Sequence, residues 1–260
     1  MSATSTSHVR AISTESRRHS HSNASPRAVR ASASSRSSPD AVRDELDRCF
    51  ALVERLGRGV VYLGSARVKE SHSHYVHARS LAKEIAHTLD CTTWSGGGAG
   101  MMDAATRGAL DANKPVGGIM IDLEAGQRKG TKPSRTHPYL PAESYLCARF
   151  FSARKHGLVD AATRATKRDR TAFVALPGGV GTLDEIFEIL ALVQLKRLDT
   201  AHEVPFLFMN YDGCYAGLLD FLKRDLASYG AVTTEELEDL FVACDTNEDA
   251  LAYLKKFYNL

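Results

Sequence analysis

Thr171-Ala172-Phe173-Val174-Ala175-Leu176-Pro177-Gly178-Gly179-Val180-Gly181-Thr182-Leu183-Asp184-Glu185 is the stretch that decides the fold. Residues 171–176 form an apolar run of strand length that Pro177 stops, three glycines turn the chain, and residues 182–195 place apolar side chains at helical spacing. The same order recurs outward from it. Residues 60–63 read as a buried strand, Gly64-Ser65-Ala66-Arg67 as its turn and 75–89 as a helix. Residues 91–94 read as a strand, followed by Gly96-Gly97-Gly98-Ala99-Gly100 and a helix over 101–110. Further strands are expected at 116–121, 204–209 and 241–243, and further helices at 41–57, 150–160, 214–228 and 247–257. Strands that alternate with helices imply βαβ units, right-handed crossovers and a mainly parallel, doubly wound α/β sheet with helices on both faces.

The chain has 260 residues, 43% of them hydrophobic and 25% charged, an ordinary composition for a globular protein. No apolar run reaches the length of a membrane-spanning helix, so no membrane partner is expected. Residues 1–39 hold six arginines against one acid, Glu15, and have no aromatic residue. With no apolar face to bury, they are expected to form a disordered tail, leaving 40–260 as a single Rossmann-like domain. Against a net charge of +2 for the whole chain, the domain is mildly acidic, which argues against a nucleic-acid partner. The tail is read as an extension of a cytoplasmic protein, the alternative being an organelle transit peptide; it lacks the apolar region of a secretory signal. The five cysteines are widely spaced without C-x-x-C, which disfavours a disulfide scaffold or thiolate zinc site and favours a reducing compartment.

In an open parallel sheet, ligands bind beyond the carboxyl ends of the strands, where all three glycine turns fall. Glycine lets backbone N–H groups approach an anion, and a helix N-terminus adds unpaired donors and a positive dipole end. The candidate binding residues are therefore Gly64, Ser65, Gly97, Gly98, Gly178, Gly179, Gly181 and Thr182, around a nucleotide or sugar phosphate. Neither the dinucleotide fingerprint nor the Walker sequence is present. The spacing of Thr182 and Glu185 also fits a capping box, a purely structural role. Asp184 and Glu188 put two more carboxylates in the same turn and a half, more than capping needs.

The ordered set Gly64-Ser65, Gly96-Gly97-Gly98-Ala99-Gly100-Met101-Met102, Arg154-Lys155, P-G-G-x-G-T-x-x-E over 177–185 and Gln194 resembles the LOG ("lonely guy") proteins across about residues 58–225. Members of that family are cytokinin riboside 5′-monophosphate phosphoribohydrolases, formerly described as lysine decarboxylases. The resemblance implies the doubly wound fold, a homodimer with active sites near its interface, and hydrolysis of a nucleoside 5′-monophosphate to free base and ribose 5-phosphate. It implies Arg154 and Glu185 as the catalytic pair, with Lys155 and residues 178–182 on the nucleotide. It calls for no cofactor and no metal. Plant members carry Thr where this chain has Ala191, and Gly-Leu-Met-Gly where it reads Gly100-Met101-Met102-Asp103. This version looks more like the bacterial and general members, so AMP or an N6-modified AMP is the expected substrate. The alternative is a non-catalytic nucleotide or molybdenum-cofactor carrier of similar fold. Lysine decarboxylation is disfavoured, because no lysine sits in a recognisable pyridoxal-phosphate motif.

Other residues admit two readings each. His72, His74 and His77 suggest a metal site but fit a polar helix entrance better. Trp94 serves either as a stacking platform for a base or as a buried strand-end aromatic. The basic segment 126–135 reads as a surface loop, with closure over a phosphate as its alternative. Arg67 reaches a ligand or pairs with a surface acid. The apolar run over 186–195 fits a buried helix or a subunit contact.

Overall fold

The computed structural model describes residues 38–122 and 137–260. Residues 1–37 of the expected tail, and the basic segment 126–135, lie outside the described residues. Helix α1 (Pro39–Leu56) leads through Gly57, at φ +81, into β1 (Gly59–Leu63). Then follow α2 (Ser73–Leu89), β2 (Thr92–Ser95), α3 (Met101–Asp111), β3 (Val116–Ile121), β4 (Tyr145–Ala148) and α4 (Phe151–Asp160). The second half runs β5 (Ala172–Ala175), α5 (Val180–Gln194), β6 (Phe206–Met209), α6 (Ala216–Asp220), α7 (Thr234–Leu240), β7 (Val242–Cys244) and α8 (Asn247–Tyr258). The sheet has seven strands in the order β4-β3-β2-β1-β5-β6-β7, and every neighbouring pair is parallel. No helix among the described residues is long and apolar enough to cross a membrane.

Alternate residues of the central strands feed two apolar layers. Val61, Leu63, Phe173 and Phe208 pack with α1, α4, α5, α6 and α7 on one face. Val60, Tyr62, Val174 and Leu207 pack with α2, α3 and α8 on the other. A sheet buried on both faces explains why these strands read as continuous apolar runs rather than alternating ones.

The expected strands and helices recur within a residue or two, with three differences. β4 falls where no strand was expected. It is an edge strand of only four residues, three of them half-buried, and its short apolar run Tyr145-Leu146-Cys147-Ala148 leads into Arg149-Phe150 rather than into a glycine turn. α7 was also unassigned, although Thr233 and Glu236 form a reciprocal capping box at its start. The single helix expected at 214–228 is α6 followed by a wider π turn over Phe221–Leu226.

The order reverses between β1 and β5, which pair with Val60 beside Ala172 and Leu63 beside Ala175. The chain leaves β1 toward one edge of the sheet and leaves β5 toward the other, the kind of switch point beyond whose carboxyl ends open α/β sheets bind ligands. Backbone hydrogen bonds tie the glycine turns together there, from Ser65 N to the Pro177 carbonyl (3.2 Å) and from Met101 N to the Ser65 carbonyl (2.8 Å). Gly100 makes that seam feasible: it sits at φ +66, and an added Cβ would lie 2.3 Å from the Ser65 carbonyl.

Trp94 is a core residue. It is fully buried, its indole N–H donates to the Gly57 carbonyl (3.0 Å), and its ring fills the space above Gly117 on the neighbouring strand. This overturns the reading of Trp94 as a base platform. Trp94→Phe removes the hydrogen bond and leaves a void, so urea unfolding should show a loss of about 2 kcal/mol. A variant of unchanged stability would contradict the placement.

Candidate active site

The carboxylates of the first turns of α5 have separate fates. The helix begins at Val180, with Gly179 as its N-cap, so Thr182 lies inside the first turn and the Thr182–Glu185 capping box does not form. Glu185 instead points toward α4, where its Oε1 accepts from the Arg154 guanidinium at 2.5 Å. Both side chains are buried, at 9% and 6% exposure. Charges removed from water in this way interact strongly, and removal of one strands the other at a cost of roughly 3–5 kcal/mol. Asp184 and Glu188 turn to Lys155, at 3.2 and 2.6 Å. Burial lowers the Lys155 proton affinity, but the Glu188 and Asp184 carboxylates outweigh it and hold the ammonium above the usual lysine range.

Arg154 is held on every side. Its Nε donates to the Ile119 carbonyl in β3 at 2.9 Å, and its guanidinium lies against the Met102 sulfur (4.0 Å) and 5.6 Å from the Phe151 ring centroid. Gly96 gives it room: a Cβ there would sit 2.0 Å from an Arg154 terminal nitrogen. Sequence reasoning assigned the whole glycine cluster to anion binding and missed this role. A long-range steric contact leaves no local signal, and only the glycine itself hinted at a close approach.

The remaining candidates divide between packing and open surface. Gly64 packs against Met101 and Leu176, where an added Cβ would come within 2.6 Å, so its requirement is steric. The Ser65 hydroxyl accepts from the Arg67 N–H (3.1 Å), and the Arg67 side chain is exposed. Gly97 is buried at φ +63 and its N–H donates to the Ser95 hydroxyl, while Gly98 is half-buried beside it. Gly178 lies over buried Thr182, with space for no side chain between them. Gly179 and Gly181 are exposed, and an added Cβ would meet nothing within 4 Å at either. The first-turn amides of a helix lack intrahelical acceptors, and here they sit beside an open glycine turn, a geometry suited to an anion. The structure thus brings together Arg154 with Glu185, and Lys155 with the outer carboxylates, on the α4–α5 seam. The glycine turns follow the carboxyl ends of the neighbouring strands β1, β2 and β5. The histidines lie apart: His72 caps α2 by accepting from the His74 N–H, and His74 pairs with Asp212 (2.9 Å).

Residues 102–254 match the family model described as "possible lysine decarboxylase". A probable cytokinin riboside 5′-monophosphate phosphoribohydrolase of Oryza sativa subsp. japonica is 27% identical, over 78% of this chain and 73% of its own length. A cytokinin riboside 5′-monophosphate phosphoribohydrolase of Arabidopsis thaliana is 26% identical, over 78% of this chain and 84% of its own. Among solved structures, the molybdenum cofactor binding protein of Rippkaea orientalis superposes with a TM-score of 0.49 at 16% identity, covering 78% of this chain and 98% of that one. With more than half of its length matched by the family model and its ordered motifs in place, this chain belongs to the LOG family.

Proposed function

We propose that the protein hydrolyses the N-glycosidic bond of a nucleoside 5′-monophosphate, AMP or an N6-modified AMP, to give the free base and ribose 5-phosphate. The observation that carries this reading is the buried Arg154–Glu185 pair next to an open glycine turn at the start of α5. The phosphate rests against the amides of residues 179–182 and the ribose reaches back toward Glu185. Breakage of the bond from C1′ to the base nitrogen builds positive charge on the ribose ring, which a nearby carboxylate stabilises. The same carboxylate orients the water whose oxygen bonds to C1′. Arg154 holds that carboxylate in place. Guanidinium does not surrender its proton, so the proton taken up by the departing base comes from outside this pair.

The site also bears on assembly. Phe187 (39% exposed), Leu195 (64%) and Phe151 (42%) leave apolar surface uncovered on the helices that carry the pair. A second copy of the chain covering that face would make the homodimer that the resemblance implies, with its interface beside the site.

Three outcomes follow. Incubated with AMP and with isopentenyladenosine 5′-monophosphate, the protein releases free base that chromatography quantifies, and Glu185→Gln lowers turnover by about 10²-fold or more with nucleotide binding retained. Nucleotide binding without base release from the wild type would instead favour a carrier. Gly96→Ala pushes the Arg154 guanidinium aside, so kcat falls at least about tenfold, with a stability loss of about 1–3 kcal/mol in thermal melts. Phe187→Asp shifts the species seen by light scattering from dimer to monomer, and a wild type already monomeric at micromolar concentration would sink the dimer.

A further inference from the structure

Helix α4 lacks a cap of its own. Its N-cap residue, Phe150, offers no side-chain acceptor, and its first turn contains no acid. The missing carboxylate comes from α1, about a hundred residues earlier in the chain. Glu45 is 1% exposed, and its Oε2 accepts from the backbone N–H groups of Arg149 (2.9 Å) and Phe150 (2.8 Å). Its Oε1 accepts from the side chains of Arg48 (3.2 Å) and Arg149 (3.4 Å). A buried carboxylate is costly unless its oxygens are satisfied, and these four donors and the positive end of α4 satisfy it.

One turn further along α1, Cys49 meets α4 a second time. It faces Gly157, where an added Cβ would lie 2.7 Å from the Cys49 Cβ. Arg154 sits between these two grips. Its guanidinium has little freedom, with Glu185 at 2.5 Å, the Ile119 carbonyl at 2.9 Å and Gly96 directly behind it. Elsewhere α1 packs through apolar residues such as Leu52 and Val53. An apolar contact would serve packing alone at the α4 N-terminus too, without the cost of a buried charge.

We infer that Glu45 is a positioning residue for Arg154: it fixes the N-terminus of α4 and so sets where the guanidinium meets Glu185. This rests on the reading of Arg154 and Glu185 as the reacting pair. It makes α1 a working part of the site, although Glu45 lies outside residues 102–254 that the family model matches.

Glu45→Ala and Glu45→Gln in the full chain test it by two readouts, base release from AMP and the Arg154 Nε–H resonance in ¹⁵N spectra, assigned with Arg154→Lys. In Glu45→Ala, kcat falls at least about tenfold while KM stays within about twofold, and the resonance moves. Glu45→Gln, which keeps one acceptor oxygen, recovers part of both. If Glu45→Ala does not fold, the Gln variant carries the same comparison, with an intermediate loss expected. A folded variant with wild-type kcat and an unmoved resonance would overturn the proposal, even if its melting temperature dropped. If the wild type releases no base, the hydrolase reading fails by itself and the resonance alone decides: a shift supports the positioning role and an unmoved signal rejects it.

Discussion

A guanidinium and a carboxylate taken out of water and set against each other are the constraint around which this protein is arranged. Arg154 and Glu185 come from successive helices, α4 and α5, that leave β4 and β5 at different places in the sheet. Bringing them within 2.5 Å fixes the relation between those helices. It also requires a carbonyl for the remaining Nε proton and a neighbour with no side chain, supplied by Ile119 and Gly96. An ion pair of this kind is weak evidence for stability, because desolvation cancels most of the attraction. We propose that its use here lies in holding one carboxylate fixed at the start of α5.

The glycines serve that arrangement in two physically distinct ways. Gly64, Gly96, Gly100 and Gly178 are required because another part of the chain occupies the space a Cβ would take. Gly179 and Gly181 have nothing opposite them, so their value lies in bare backbone at the start of a helix. The first group lets neighbouring segments pack closely, and the second leaves bare backbone exposed at the start of α5. Lys155 serves the same seam, since pairing with Asp184 and Glu188 leaves Glu185 to Arg154.

Much of this was legible in the chain itself. Apolar runs followed by glycine turns marked the central strands, since a strand buried on both faces has no polar side to interrupt it. Four-residue β4, half-exposed at the edge, has a short apolar run but no glycine turn after it. The start of α5 was misjudged by two residues because Thr182 and Glu185 have capping-box spacing, and Glu185 was claimed by a partner 31 residues away. The Gly96 clearance and the Glu45 cap were invisible for a shared reason. Each depends on a contact between segments far apart in sequence, which no local pattern encodes. The α7 capping box, by contrast, was written plainly in Thr233 and Glu236.

We propose that the Glu185 carboxylate faces the anomeric carbon of a ribose whose phosphate lies on the start of α5. A crystal structure of Glu185→Gln soaked with AMP tests it most directly. The expected result is C1′ within about 3.5 Å of the residue 185 side chain and phosphate oxygens hydrogen-bonded to the amides of 179–182. A nucleotide bound with its ribose turned away from residue 185, or its phosphate anchored elsewhere, would contradict it.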